Sequence, residues 1–251
     1  MRILGVIPAR YFSTRFPGKP LADLLGKSMI QRVYSQCLKS TKLTEVVIAT
    51  DHEKIIEHVT SFNGNVCFTS DQHVNGTDRC FEVLQKYKSS FDFVINIQGD
   101  EPFIDPKQID ILCASLSPKT EISTIIQKIS TPDQLFSSTE VKVVKNKDNE
   151  AIYFSRSPIP YVHQVEKNCW LEHRTFFRHI GLYAYRSDVL EKLSKLKVSY
   201  LEKTESLEQL RWIENKFVIS TVETNGKDSI CIDTPEDLEK AVTLYAKFIK
   251  D

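Results

Sequence analysis

The sequence has no excess of charge of either sign. Its 251 residues include 33 lysines and arginines and 33 aspartates and glutamates, so the formal net charge is zero. A protein that binds nucleic acid or an anionic membrane surface usually carries a broad positive field, and such a field is missing here. We therefore expect no nucleic-acid partner and no membrane insertion, and any anion site must be built locally.

Paired cysteines and long apolar runs are also missing. Six cysteines are scattered along the chain without a C-x-x-C pair, which argues against a zinc site and a disulfide scaffold. We read them as reduced, mostly buried thiols. No apolar stretch approaches the ~18 residues of a membrane span, and the N-terminal apolar run is short and contains Pro8, unlike a signal peptide. These absences predict a cytoplasmic protein.

Two familiar nucleotide motifs are absent as well. The segment "LADLLGKS" ends like a P-loop, but Leu21 stands where the first glycine is required. No G-x-G-x-x-G follows the first predicted strand, so a dinucleotide site has no fingerprint. No Ser-His-Asp or Cys-His arrangement indicates a protein nucleophile. Hydride transfer and covalent catalysis are thereby disfavoured.

What is present is an alternation of short β-branched runs with helix-period segments. Up to about residue 120 this alternation predicts parallel strands joined by helices, because a parallel pair needs a long connection. From about residue 121 four strand-like runs follow with little helix between them, which predicts antiparallel pairing. The fold class is therefore α/β: a doubly wound, mostly parallel sheet with an added antiparallel β-rich subdomain. No linker interrupts it, so residues 1–251 are predicted to form one domain.

Positive charge is concentrated in the loop after the first predicted strand. The loop offers four anion donors and no carboxylate: Arg10, Ser13, Arg15 and Lys19. In open α/β sheets ligands bind beyond the carboxyl ends of the strands, and this loop is the usual phosphate site. Pro17, Gly18 and Pro20 restrict the backbone around the lysine. The pattern predicts a phosphate site; the alternative is a solvated basic loop.

Two aspartates each follow a predicted strand and suit a metal ion. Asp100 lies in "NIQGDEP" and Asp233 in "CIDTPEDLEKA". A bound polyphosphate usually needs Mg²⁺, which prefers a few carboxylates and retained waters. Asp233 could instead be the N-cap of the helix that starts near Pro235, a role that Thr234 could also fill. Both interpretations remain open at this point.

Several motifs together resemble one enzyme family. They are "IPARYFSTRFPGKPL", "VVIATDH", "NGTDR", "NIQGDEP", "YFSRSPIPY", "RHIGLYAYR", "LEQLR" and "DTPEDLEKA". In this order they resemble the 3-deoxy-manno-octulosonate (Kdo) cytidylyltransferases, the CMP-Kdo synthetases of lipopolysaccharide synthesis. The similarity runs from residue 3 to about 241 and implies the nucleotide-diphospho-sugar transferase-like fold. The similarity is weakest at about residues 162–177, where no motif is recognised, and we expect a variable loop there.

The resemblance implies transfer of CMP from CTP to the anomeric hydroxyl of Kdo, with release of pyrophosphate and without a covalent intermediate. It also implies a homodimer and three sections: a nucleotide-binding half at 1–120, a sugar-binding and dimerisation part at about 121–230, and a return to the core at 231–251. The four loop donors would hold the triphosphate, Arg79 and Gln98 would line the cytosine and ribose side, and Asp100 and Asp233 would hold Mg²⁺. Arg10, Lys19 and the two aspartates would be catalytic. The residues facing the sugar would be Arg156, His179, Tyr183, Glu208 and Gln209.

The residues themselves leave alternatives open on the sugar side. His179 and Tyr183 are four apart, so on a strand they share a face that could serve packing or a pocket. In "SLEQLRWIENKF" the predicted core stripe leaves Glu208 and Gln209 beside it, as solvated residues would also be. The stripe is Leu207, Leu210, Ile213 and Phe217. Rival functions are CMP transfer to 8-amino-Kdo or to sialic acid and, more remotely, nucleotide sensing without catalysis.

Overall fold

The computed structural model describes residues 1–87, 90–226 and 231–246. The chain forms two compact units, one comprising Met1–Cys113 and Gly226–Asp251 and the other Ala114–Asn225. The predicted sections end at 120 and 230 instead, and their residues 227–230 and 247–251 fall outside the described residues. The functions assigned to the sections stay predictions.

The first unit alternates strands and helices as the sequence predicts. Its strands are β1 (Ile3–Ala9), β2 (Asp23–Leu24), β3 (Lys27–Ser28), β4 (Glu45–Thr50), β5 (Val66–Phe68) and β6 (Phe93–Asn96). The helices in this part of the chain are α1 (Met29–Cys37), α2 (Glu53–Ser61), α3 (Gly76–Lys86) and α4 (Pro106–Ala114), with a 3-10 turn at Lys19–Leu21. Helix α4 was not predicted from the sequence.

Four of these strands form a parallel sheet in the order β6-β1-β4-β5. In its register Val6 of β1 lies opposite Val47 of β4 and Asn96 of β6. Because parallel strands end at the same edge, the loop after β1 and the segment after β6 lie beside each other. This edge carries the candidate site.

Helix α1 shows how local sequence defines an element. Ser28 is its N-cap, and the Ser28 hydroxyl accepts a hydrogen bond from the backbone N–H of Gln31 at 3.2 Å. Of the apolar residues that the periodicity places on one face, these are buried: Met29, Ile30, Val33, Tyr34 and Cys37. From the sequence, Ser28 is the expected N-cap and Leu38 is expected on the same apolar face; the cap is confirmed, but Leu38 lies at the C-cap and is exposed.

The segment that looks like a P-loop is a hairpin. Strands β2 and β3 pair antiparallel, and the turn between them has positive φ at Leu25 (58°) and Gly26 (80°). Positive φ at both central residues is typical of a type I′ turn. A hairpin thus replaces the strand–loop–helix arrangement of a P-loop, in agreement with the missing first glycine.

The second unit is rich in antiparallel strands. They are β7 (Ile122–Lys128), β8 (Lys142–Lys145), β9 (Ala151–Ser155), β10 (Phe177–Arg186) and β11 (Ile219–Thr224). Its helices are α5 (Pro132–Phe136), α6 (Trp170–His173), α7 (Ser187–Leu193), α8 (Tyr200–Glu205) and α9 (Gln209–Glu214). Strand β7 pairs antiparallel with β10 and parallel with β11, and the antiparallel series continues from β10 to β8 and β9. The α/β class and the antiparallel β-rich addition are confirmed.

The expectation of a loop at residues 162–177 is wrong for the middle of that segment. A 3-10 turn at Lys167–Cys169 leads directly into α6. Trp170 is buried and packs in a cluster with Val162 and Phe176 from the same segment and Ile129 and Leu135 from before it. The tryptophan anchors the segment because few side chains bury as much apolar area.

The predicted core stripe around α9 is correct only in its first half. Leu207 and Leu210 are buried, but Trp212 is buried in place of Ile213. Helix α9 is short, and a positive φ of 65° at Lys216 follows it, so Phe217 no longer lies on the helix. A helical period extended past the end of the helix is the cause of the error.

After residue 230 the chain forms α10 (Pro235–Tyr245), which belongs to the first unit. Its buried Ala241 lies in a cluster with Leu24, Met29 and Ile232. This packing fixes the start of the helix, and Asp233 immediately before it, against the elements that follow β1.

Candidate active site

The loop after β1 is closed by a backbone hydrogen bond at its base. The N–H of Gly18 donates to the carbonyl of Tyr11 at 2.8 Å, and Gly18 has a φ of 73°, a left-handed value that favours glycine. The 3-10 turn begins directly afterwards at Lys19, and Pro20 in it is buried. The ring of Pro20 and the closed loop together fix the point from which the Lys19 side chain extends.

Lys19 contacts both of the aspartates predicted to bind metal. Its Nζ lies 3.0 Å from Asp100 Oδ2 and 3.1 Å from Asp233 Oδ1. The lysine side chain is only 15% exposed. Burial opposes its charge, but the two carboxylates outweigh burial and raise the pKa of the ammonium. Lys19 is therefore a permanent positive charge between two negative ones.

Arg15 joins the same cluster from the outer side. Its Nη1 and Nη2 each lie 3.2 Å from a carboxylate oxygen of Asp233, in a two-pronged arrangement. The Arg15 side chain is 65% exposed, so this ion pair is screened by water and easily exchanged. An anion with several oxygens could compete for the guanidinium.

The two aspartates converge because their backbones are bonded to each other. The N–H of Ile232, immediately before Asp233, donates to the carbonyl of Asp100 at 2.9 Å. Gly99, immediately before Asp100, allows a close approach to β1: a Cβ at this position would lie 2.6 Å from the Pro8 carbonyl oxygen. The glycine in "QGDEP" is thus needed to bring Asp100 against the end of β1.

The structure resolves the two interpretations of Asp233 as far as capping is concerned. Thr234 is the N-cap of α10, and its hydroxyl accepts from the N–H of Asp237 in a capping box. Asp233 contributes only its backbone N–H to this arrangement, to Asp237 Oδ2 at 3.3 Å. Its carboxylate is free of the capping role and points to Arg15 and Lys19.

Cys231 is a neighbour of the cluster that the sequence analysis did not include. Its sulfur and one oxygen from each of Asp100 and Asp233 lie within 4.8 Å of one another. Desolvation and the two carboxylates raise the pKa of the thiol. The expectation of mostly buried thiols holds for three of the six, Cys37, Cys80 and Cys113; Cys67 and Cys169 are partly exposed, and Cys231 is exposed. Its spacing of two residues from Asp233 was the available signal.

Arg10 and Ser13 lie in the same loop. Arg10 follows β1 directly, and burial together with the nearby guanidinium of Arg79 lowers its pKa. The carboxylates of Asp51 and Asp78 act in the opposite direction on this pKa. The Ser13 hydroxyl accepts from the N–H of Phe16 at 3.4 Å, which shapes the loop without using the hydroxyl proton.

Arg79 and Gln98, predicted to face the nucleoside, differ in exposure. Arg79 of α3 is fully buried. Its Nη2 donates to Asp51 at 2.6 Å and its Nη1 to the Thr69 hydroxyl. Its Nε has no hydrogen-bond partner among the described residues. Gln98 is partly exposed after β6. Arg79 therefore supports the site from within the first unit, while Gln98 is at its surface.

In the second unit, Arg156 is held by the backbone. Its Nε donates to the Glu205 carbonyl at 2.8 Å, Nη1 to the Ser138 carbonyl at 3.1 Å and Nη2 to the Ser206 carbonyl at 3.4 Å. None of these three acceptors of the guanidinium is a carboxylate; the Glu205 carboxylate accepts instead from the backbone N–H of Arg156 at 2.9 Å. An arginine fixed in this way suits a carboxylate ligand.

His179 and Tyr183 lie on β10 with a register irregularity between them. Their ring centroids are 5.0 Å apart, and His179 Nε2 is 2.9 Å from the Thr124 hydroxyl. Burial lowers the pKa of His179 to about 3, so the imidazole is neutral. Burial and the charge of Glu208 raise the pKa of Tyr183. The pair is uncharged and can offer only neutral hydrogen bonds.

Glu208 and Gln209 start α9 and differ from solvated residues. Gln209 is buried, at 5% exposure. Glu208 Oε1 lies 3.2 Å from Arg211, which also pairs with Glu202 at 3.0 Å. The alternative that both are solvated helix residues is therefore wrong for Gln209, because the short helix turns this residue inward.

No helix in the described part of the chain is long and apolar enough to cross a membrane.

Comparison with known proteins identifies the family. A family model described as "Cytidylyltransferase" matches residues 4–229. A 3-deoxy-manno-octulosonate cytidylyltransferase of Cytophaga hutchinsonii is 52% identical over 94% of both chains. The chain belongs to the 3-deoxy-manno-octulosonate cytidylyltransferase family. Another family member, from Parabacteroides distasonis, is 50% identical over 98% of this chain and 99% of its own.

A solved structure of this family has the same fold. It is that of CMP:2-keto-3-deoxy-manno-octonic acid synthetase complexed with CTP, and it matches 99% of this chain and 100% of its own with a TM-score of 0.91 at 40% identity. The nucleotide-diphospho-sugar transferase-like fold inferred from the sequence motifs is thereby confirmed.

Proposed function

We propose that this protein transfers CMP from CTP to the anomeric hydroxyl of Kdo and releases pyrophosphate. The observation that carries the proposal is the convergence of Lys19, Asp100 and Asp233 in a chain that belongs to the Kdo cytidylyltransferase family. In the reaction the anomeric oxygen forms a bond to the α-phosphorus and releases its proton to water. The bond from that phosphorus to the bridging oxygen breaks, and its electron pair leaves with pyrophosphate.

The basic loop binds the triphosphate in this proposal. Lys19 and Arg10 neutralise phosphate charge as it moves onto the leaving pyrophosphate, and Arg15 exchanges Asp233 for phosphate oxygens. The screened Arg15 pair supports such an exchange. Ser13 adds a hydroxyl to the same loop, while Arg79 and Gln98 form the cytosine and ribose side. Catalysis is then positioning and charge stabilisation, as expected for nucleotidyl transfer without a protein nucleophile.

Asp100 and Asp233 would hold Mg²⁺. Hard carboxylate oxygens that lie this close together fit the ion. When bound, the ion supplies charge neutralisation at the phosphates and acidifies the attacking hydroxyl. Asp233 is suited to the role because Thr234, not Asp233, caps the following helix.

The sugar-facing residues belong to the second unit. Arg156 pairs with the sugar carboxylate. Four further side chains orient the sugar hydroxyls: the neutral His179, Tyr183 and Gln209, and the carboxylate of Glu208. Support comes from the guanidinium of Arg156, whose three acceptors are backbone carbonyls, and from the neutral state of His179.

The cellular compartment and the oligomeric state are further parts of the proposal. We propose that the protein acts in the cytoplasm, in agreement with its free cysteines, and as a homodimer. Light scattering after size-exclusion chromatography measures the oligomeric state, and a monomer at micromolar concentration would contradict this part.

The deciding experiment is pyrophosphate release from CTP with one acceptor at a time: Kdo, 8-amino-Kdo or sialic acid, each with and without Mg²⁺. We expect turnover with Kdo that depends on Mg²⁺. Faster turnover with another acceptor would reassign the sugar. If the protein binds CTP but releases no pyrophosphate with any of the three acceptors, a nucleotide sensor would be favoured.

A further inference from the structure

The imidazole of His52 stacks on the ring of Tyr11. Their centroids are 4.0 Å apart and the planes are inclined by 16°. Both residues belong to the first unit. Tyr11 is the second residue of the basic loop, whereas His52 lies between β4 and α2 and has no place in the proposed chemistry.

The backbone and ring of His52 are held on two sides. Its N–H donates to the hydroxyl of Thr50, the last residue of β4, at 3.3 Å. Its Nδ1 accepts from the N–H of Lys54 at 3.2 Å, which makes His52 the N-cap of α2. The ring therefore has one orientation, set by a strand end and a helix start.

Tyr11 transmits this orientation to the loop. Its carbonyl accepts the 2.8 Å hydrogen bond from Gly18 that closes the loop. Its ring also lies beside Gly18, because a Cβ on that glycine would be 3.8 Å from the Tyr11 ring atoms. Phe12 packs edge-on against His52 at 5.4 Å and against Tyr11 at 5.3 Å. Lys19 follows Gly18 directly, so these contacts lead from the helix cap to the phosphate-binding lysine.

We propose that His52 is a positioning residue for the loop that binds the triphosphate. The stack keeps the loop closed before the nucleotide arrives, and a preordered loop loses less conformational freedom on binding. The inference rests on the proposed function of the loop. His52 acts through Tyr11 and touches no substrate.

Two substitutions separate the ring stack from the helix cap. H52N keeps a good N-cap and removes the ring, whereas H52F keeps an aromatic ring and removes the cap acceptor. For H52N we expect CTP binding, measured by calorimetry without sugar, to weaken roughly three- to tenfold while the melting temperature stays near that of the wild type. For H52F we expect CTP affinity near the wild-type value with a lower melting temperature. The KM for Kdo should change in neither.

His58 provides a matched control on the same helix. Its Nε2 lies 2.7 Å from the Ser28 hydroxyl, and its ring packs against Phe62 and not against Tyr11 or Phe12. H58N should lower the melting temperature without weakening CTP binding. Wild-type CTP affinity in H52N, or an equal loss in H52F and H52N, would overturn the inference while leaving the proposed function intact. Failure of the wild-type protein to bind CTP would overturn both.

Discussion

The backbone carbonyl of Asp100 accepts a hydrogen bond from the backbone N–H of Ile232 at 2.9 Å, although 132 positions separate the two residues by their numbers. This bond places the side chains of Asp100 and Asp233 at one point, where Lys19 contacts both. Because the backbone fixes the convergence, substitutions of either carboxylate should change charge and leave the local geometry in place.

The first prediction concerns this pair of carboxylates. D100N and D233N each keep the side-chain size and remove one charge. If both hold the same ion, each should lower turnover on the order of 10²-fold or more, and the double variant should be far less than multiplicatively worse. Turnover measured as a function of Mg²⁺ concentration checks this. Independent, multiplicative losses would contradict a shared ion.

Thr234 supplies the control for D233N. T234A removes the observed N-cap of α10 and should cost about 1 kcal/mol of stability while the Mg²⁺ dependence stays unchanged. D233N should show the opposite pattern. A thermal melt of both variants distinguishes them, and a stability loss in D233N without a change in metal dependence would remove Asp233 from the site.

The second prediction concerns Lys19. If its ammonium stabilises the leaving pyrophosphate more than bound CTP, K19A should lower turnover roughly 10²–10³-fold, the usual scale for one preorganised donor. K27A is the matched control, since Lys27 is an exposed lysine of the nearby hairpin. We expect K27A to behave as the wild type. Unchanged turnover in K19A would contradict the phosphate site and favour the alternative that the loop is a solvated basic loop.

The amino-acid pattern alone was sufficient to predict the sheet edge and the residues that gather there. Strong β-branched runs define the parallel strands, and ligands bind at the carboxyl ends of such strands, so Lys19 and Asp100 are expected at one edge, where the structure has them in contact. The pairing of Arg15 with Asp233 and the approach of Cys231 were beyond reach, because they depend on side-chain directions in two loops.

Short helices were missed for a physical reason. Helix α8 has six residues and buries none of them, so it carries no apolar period. Its only sequence signal is the capping box formed by Ser199 and Glu202. Buried Gln209 was equally hidden, because α9 is short and buries the polar side chains Gln209 and Arg211 beside Leu210 and Trp212, so no apolar period marks its inward face.

The third prediction concerns the sugar carboxylate. R156A should raise the KM for Kdo, on the order of tenfold or more for a lost charge-assisted pair, and leave CTP affinity nearly intact. R174A, which removes an exposed arginine of the same unit, serves as the control and should change neither value. Calorimetry with CTP and initial rates with varied Kdo separate the two substrates. An equal loss of CTP binding in R156A would show that Arg156 does not act on the sugar alone and would contradict the prediction.

The last prediction concerns the acid stability that follows from the lowered pKa of His179. Burial lowers its folded pKa to about 3, whereas an unfolded histidine titrates near 6.5. Below about pH 6.5 the unfolded chain therefore takes up a proton that the folded chain refuses until about pH 3. The contribution to stability is complete above pH 6.5 and declines as the pH falls through this window, by at most about 1.4 kcal/mol per pH unit. H179Q cannot titrate, so its unfolding midpoint in urea should depend less steeply on pH between 6.5 and 3, whereas H163Q, at an exposed histidine of the same unit, should keep the wild-type slope. Equal slopes in H179Q and the wild type would show that the imidazole takes up its proton in the folded protein as readily as in the unfolded chain.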